Sequence, residues 1–219
     1  MKKLLFILTI LCISAPAFAQ LKAGQQMFDI RGALGFQLQN SGINYSPYNE
    51  RADWGTLGAE LGLAYYYFLS DSFGVGADFS YGDFDGANLT YSSADKINDY
   101  ARLYNLMLTA RYALNPQSRA RIYFPFGFGL SAARQDIDIS KSGIKFNNKK
   151  TEIVPALFIG AGLEFDVGQN GWSWGLETRY NAFWYDTDKL IKGAPPAITA
   201  DGKRRYEYLT FQLRIAKRF

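Results

Sequence analysis

The chain has 219 residues, no histidine, a single cysteine and a formal net charge of +4. The missing histidine excludes Ser-His-Asp, Cys-His and Asp-His machinery and the usual zinc sites. The near-neutral balance argues against nucleic acid as a partner, because that role needs a strong basic field.

Lys2 and Lys3 precede a short apolar run from Leu4 to Ile13, and Ala17-Phe18-Ala19 supplies a small-x-small cleavage pattern. Residues 1–19 therefore read as a cleaved secretory signal, with Gln20 the first mature residue. The run is too short for a comfortable transmembrane helix. The bulky Leu11 before Cys12 fits poorly with a lipidated cysteine. Cys12 leaves with the signal, so no thiol remains. Residues 20–219 are expected to form one domain of about +2 charge.

Eight segments then alternate apolar and polar residues, at roughly 27–39, 54–68, 73–82, 100–114, 120–133, 153–167, 172–185 and 204–219. In the first, Phe28, Ile30, Leu34, Phe36 and Leu38 share a face opposite Asp29, Arg31, Ala33, Gly35, Gln37 and Gln39, with Gly32 an exception on the apolar side. In the last, Leu209, Phe211, Leu213, Ile215 and Phe219 oppose Thr210, Gln212, Arg214, Ala216 and Arg218. No amphipathic helix and no linker interrupts the series. The connections alternate in length: 69–72, 115–119 and 168–171 are short and rich in turn formers, whereas 40–53, 83–99, 134–152 and 186–203 are long and polar. Antiparallel strands put alternate connections at opposite ends. The pattern is that of an all-β, eight-stranded up-and-down transmembrane barrel with tight turns at one end and long loops at the other.

A soluble barrel would turn its apolar face inward. The polar face here carries Gly35, Gly58, Gly62, Gly74, Gly76, Gly127, Gly129, Gly160, Gly162 and Gly175. So many glycines suit a crowded interior rather than a solvated outer surface. The opposite face has Tyr65, Tyr67, Phe73, Tyr81, Trp172 and Trp184 near strand ends, as in the aromatic girdles at membrane interfaces. The apolar face is therefore assigned to lipid and the polar face to the lumen.

The segments Tyr123-Phe124-Pro125-Phe126-Gly127-Phe128-Gly129, Gly160-Ala161-Gly162-Leu163-Glu164-Phe165 and Gly175-Leu176-Glu177-Thr178-Arg179-Tyr180, with a last strand ending on Phe219, carry a family resemblance. The chain resembles the small outer-membrane β-barrels that include the OmpA transmembrane domain, OmpX and OmpW-like proteins, of Bacteroidetes type. The resemblance covers the whole mature chain. It implies a terminal aromatic, Phe219, read by barrel-assembly machinery, although Lys217 departs from the usual apolar choice two residues earlier. Barrel enzymes resembling lipid A deacylase, outer-membrane phospholipase or omptin protease need a histidine, which this chain lacks.

No nucleophile elbow and no phosphate-binding loop occurs. Asp83-Phe84-Asp85-Gly86 and Asp186-Thr187-Asp188 could ligate calcium, but a solvated turn is the simpler reading. Inward Arg31, Glu60, Asp78, Arg111, Glu164, Glu177, Arg179 and Arg214 are expected to form a lumen ion-pair network, with Asp29, Asp166 and Arg218 also inside. Arg111, Arg179 and Arg214 should reach toward Glu60, Glu164 and Glu177. Lys145, Lys149, Lys150, Arg204 and Arg205 are candidate contacts for lipopolysaccharide phosphates. No cofactor and no catalytic residue is expected. The leading function is a non-enzymatic outer-membrane scaffold displaying four external loops, for envelope integrity or for a protein partner, with both termini periplasmic. The alternatives are a narrow channel or carrier for a small hydrophobic molecule, and an accessory subunit of a larger complex.

Overall fold

In the computed structural model, the described residues are 20–38, 43–45, 50–52, 57–85, 89–92, 95–141, 144–167, 170–196, 198–200 and 202–219. The expected signal segment, the Gly168-Gln169 half of one turn and parts of the long connections lie outside them. The described residues include twelve strands: β1 (Gln26–Gln37), β2 (Ile43–Tyr45), β3 (Glu50–Ala52), β4 (Leu57–Phe68), β5 (Phe73–Asp85), β6 (Leu89–Ser92), β7 (Asp95–Ala113), β8 (Ala120–Lys141), β9 (Ile144–Val167), β10 (Trp172–Asp186), β11 (Ile198–Ala200) and β12 (Lys203–Arg218). One helical turn, α1 (Thr187–Leu190), begins where the Asp186 side chain accepts from the Asp188 amide.

Eight strands form a closed antiparallel barrel in the order β5-β4-β1-β12-β10-β9-β8-β7, and pairing of β5 with β7 joins its ends. Closure follows from the solvent: in hydrocarbon every backbone N–H and C=O must be paired within the protein. Strict alternation shows which face meets that solvent. In β4, every second residue from Leu57 to Tyr67 is exposed and every second residue from Gly58 to Phe68 is buried. Phe28, Ile30, Leu61, Leu106, Leu108, Phe126, Leu176, Leu213 and Ile215 all point outward. An outward apolar band of this kind is stable only against lipid.

The tight turns are held by their own side chains. Phe73 donates its amide to Ser70 Oγ at 3.1 Å, and the Asn115 amide group both donates to Ala120 O at 2.6 Å and accepts from the Ile122 amide at 2.8 Å. The start of β1 and the end of β12 meet at this same end, where Phe219 N donates to Gln26 O at 2.9 Å.

The other end departs from expectation. The segment 134–152, expected as a loop, is a continuous ladder from Ala133↔Glu152 to Lys141↔Ile144. Its polar sequence misled because Arg134, Asp136 and Asp138 take the outward parity that apolar residues hold lower on β8, while Gln135 and Ile137 stay buried on the other face. Asp136 lies directly opposite Lys149, a favourable cross-strand charge pair. The segment 83–99 likewise contains the end of β5, all of β6 and the start of β7. A separate three-stranded sheet, β11-β2-β3, joins the connections 40–53 and 186–203. Ile198 of that sheet packs on Ile137 of the raised hairpin, with Phe146, Ile191 and Ala194 around them.

Candidate functional site

The interior is stratified. At the short-turn end, Met27, Ala64, Tyr66, Phe68, Ala113, Tyr123 and Ala216 form an apolar floor, into which Leu21 inserts. The leading segment is tied across the barrel mouth: Leu21 N donates to Pro116 O at 3.0 Å, Ala23 N to Asp71 Oδ1 at 3.0 Å and Gly24 N to Phe68 O at 2.8 Å. Sequence reasoning gave Leu21 no role, because a single apolar residue before the first strand has no period to reveal it. Leu21→Ala should lower stability by about 1.5 kcal/mol, the low end for a buried leucine, since a terminal segment can withdraw into solvent. A urea titration of the folded gel band would measure it.

Against the floor lies a layer of charge, with Arg121 and Arg218 nearer the turns than the floor residues Tyr123 and Ala216 of the same strands. Asp78 on β5 meets Arg31 of β1 through Oδ1 and Arg179 of β10 through Oδ2, the latter at 2.9 Å. Glu177 receives Arg179 Nε, the Tyr123 hydroxyl at 2.7 Å and Arg214 Nη1 at 3.3 Å. Arg214 also contacts Asp29. Glu164 on β9 accepts from Arg111 at 2.6 Å and from Arg121 at 2.7 Å, while Asp166 takes Arg121 and Arg218. The guanidinium of Arg111 stacks 3.6 Å from the Tyr123 ring centre, and that of Arg179 lies 4.0 Å from Phe158. All these groups are buried. Asp78, Glu164, Asp166, Glu177, Arg121, Arg179 and Arg214 each have at least two partners, as a desolvated charge requires.

The expected membership needs two corrections. Arg121, fully buried, was missed, although it lies in the expected strand 120–133 on the same inward parity as Gly127 and Gly129. Glu60 is in the lumen but in no ion pair among the described residues; it accepts from the Tyr208 hydroxyl at 3.4 Å. The reason is its height. Glu60 sits near the long-connection end of β4, above the arginines. Arg111, one of the three bases expected to reach toward Glu60, Glu164 and Glu177, lies near the opposite end of β7 and binds Glu164. Glu177 with Arg179 is a structural ion pair.

A third layer was not anticipated. The upper lumen is aromatic and aliphatic rather than polar, built from Phe84, Leu103, Met107, Phe158, Phe183, Tyr185, Tyr206 and Tyr208 among others. Phe84 packs edge-on to Tyr208 with centroids 5.0 Å apart, and Phe183 lies 4.7 Å from Tyr206. In the sequence Phe158 and Phe183 continue the inward parity of their strands, while Phe84 falls in the segment 83–99 that was expected to be a connection.

The candidate anion contacts separate by height. Lys145 and Lys149 are exposed on the raised hairpin, Lys145 roughly 25 Å beyond Ile153 by strand rise. Lys150 donates to Lys189 O at 2.9 Å. Arg204 and Arg205, by contrast, line a cleft of about 800 Å³ at the barrel rim. Of the calcium candidates, Asp83 meets Arg102 at 3.5 Å, Phe84 points into the lumen and Asp186 caps α1; Asp85 lies in β5, and its side chain and Gly86 lie outside the described residues. Phe219 is exposed at the end of β12, with Lys217 Nζ 5.8 Å from its ring.

A closed barrel with an apolar outer band, aromatic rims and a charged, side-chain-filled lumen defines a transmembrane β-barrel of outer-membrane type. The chain belongs to the outer membrane protein beta-barrel domain family, whose model matches residues 5–219. It is therefore a protein of the bacterial outer membrane. Its fold is similar to that of the outer membrane protein OprG from Pseudomonas aeruginosa, at TM-score 0.56 and 14% identity over 92% of this chain and 99% of that one. Neisserial surface protein A matches at TM-score 0.49 and 14% identity, over 90% and 99% of the two chains. The outer membrane protease OmpT from Escherichia coli matches at TM-score 0.49 and 8% identity, over 94% and 100%. Comparison with curated proteins finds no match.

Proposed function

We propose that the protein is a non-enzymatic display scaffold, with both termini in the periplasm and the long connections outside the cell. The observation that carries this reading is the filled lumen: an apolar floor, a paired charge layer and an aromatic layer occupy the barrel from end to end among the described residues. An even number of strands puts both termini on one side. The chain has no histidine, and the lumen carboxylates other than Glu60 each face arginine. On the exposed side, the raised β8–β9 hairpin packed against the loop sheet offers a rigid surface for envelope contacts or a protein partner, and loops on rigid scaffolds are where recognition concentrates. The aromatic upper lumen favours one second reading, a carrier for a small apolar molecule.

In planar bilayers the purified barrel should give no steady porin-like current. A large, sustained conductance would overturn the filled-lumen reading and favour a channel. Trypsin added to intact cells should cut only on the long-connection side, near Lys149 or Arg204. Cleavage that requires opening the outer membrane first would invert the topology.

A further inference from the structure

Among the described residues, the wall of the barrel opens between β9 and β10. β9 and β10 pair only as far as Ala156↔Phe183. Beyond that point β9 follows β8 into the raised hairpin, up to Lys141↔Ile144, and β10 follows β12 up to Asp186↔Lys203. The divergence leaves the cleft of about 800 Å³ between the two strands.

Its lining is chemically two-sided. Ile153 on one lip is 73% exposed and Trp184 on the other is 41% exposed, both on the outward parity of their strands. Within the cleft stand Lys189, Lys203, Arg204 and Arg205, against the acids Glu152 and Asp186. Lys189 serves both acids, at 3.5 Å and 4.0 Å, and Arg205 pairs with the neighbouring Glu207. Lys203 and Arg204 are added to these, so the cleft is net positive. Trp184 is the outward tryptophan of this end among the described residues, and an interfacial tryptophan marks the depth at which lipid headgroups begin. Cations, an opening toward the bilayer and an apolar lip at headgroup depth coincide.

We propose that this cleft binds the phosphorylated headgroup of an outer-leaflet glycolipid, with the phosphate held by Lys203 and Arg204 and the first part of an acyl chain laid over Ile153 and Trp184. Guanidinium and ammonium donors give phosphate its strongest hydrogen bonds, and partial removal from water strengthens them further. The proposal rests on the outward orientation of the long connections. It also divides the cations: Lys145 and Lys149 are not among the residues that line the cleft.

The test is a titration of the detergent-purified full barrel with lipid A, read by native mass spectrometry and by Trp184 fluorescence in a Trp54→Phe, Trp172→Phe, Trp174→Phe background. Parallel arms use dephosphorylated lipid A and inorganic phosphate. Lipid A should bind, and Lys203→Gln with Arg204→Gln should weaken it by at least about tenfold, while Lys145→Gln with Lys149→Gln changes nothing. Retention of the heat-dependent gel shift in each variant shows that it remains a folded barrel. Unchanged affinity in the rim variant overturns the site. Equal binding of the dephosphorylated lipid removes the headgroup from the proposal, and equal competition by inorganic phosphate removes the lipid. Binding in detergent does not depend on membrane orientation, so an inverted topology in the protease experiment would refute the display reading separately.

Discussion

Arg179→Ala should lower the unfolding free energy of the barrel by about 3–5 kcal/mol, the cost of removing one partner from a buried ion cluster. Arg179 is the bridge of the lumen network: Nη1 meets Asp78 at 2.9 Å, Nε meets Glu177, and the guanidinium plane covers Phe158. Its loss leaves Asp78 with Arg31 alone and withdraws one of two arginines from Glu177, deep in the barrel. Arg179→Lys should recover little, since one ammonium cannot span both carboxylates as the planar fork does. Adding Glu177→Gln should recover part of the loss by removing one stranded charge. The measurement is the urea midpoint of the fast-migrating folded band in detergent. Lys149→Ala, on the exposed hairpin, serves as reference and should stay within about 0.5 kcal/mol of the parent. A loss below about 1 kcal/mol for Arg179→Ala would mean that water already shares these charges.

How far the sequence could reach is visible in the same residues. The strands, their faces and most inward charges follow from period-two alternation, because lipid on one side and a narrow lumen on the other impose opposite chemistry on adjacent residues. Arg31, Asp78, Arg111, Glu164, Glu177, Arg179 and Arg214 all lie inside as that alternation requires. Their partners were not legible, because a partner is set by height and stagger between strands. Arg111 meets Glu164 rather than Glu60 for that reason. The raised hairpin was hidden because polar residues, Arg134, Asp136 and Asp138, replace apolar ones on its outward parity. The aromatic upper lumen was hidden because a tyrosine facing inward and one in a membrane girdle differ only by parity, which slips at strand ends. The rim cleft depends on where two strands part, and no residue type announces that.

Gly35→Leu should destabilise the barrel by about 3 kcal/mol, and most of that cost should vanish when Phe84→Ala accompanies it. A Cβ on Gly35 would lie 2.6 Å from Phe84 Cε1 and 2.9 Å from Cζ, whereas the next atom, Thr210 Cγ2, is 3.6 Å away. The obstacle is therefore one ring. Gly58 and Gly82 on the two following strands press against the same ring, so Phe84 rests in a cup of three glycines and meets Tyr208 above it. Phe84→Ala alone should cost about 3–5 kcal/mol through the cavity it leaves. The pair exchanges volume across one contact: a leucine on β1 enters the space the phenyl ring gives up. A double-mutant cycle should then show a coupling of about 1–3 kcal/mol in favour of the double variant. Strictly additive losses would place Phe84 away from Gly35 and leave the aromatic layer without its anchor on the β1 side. Gly58 offers no such rescue, because its Cβ would also meet the backbone oxygen of Asp83 at 2.7 Å, which no side-chain change removes.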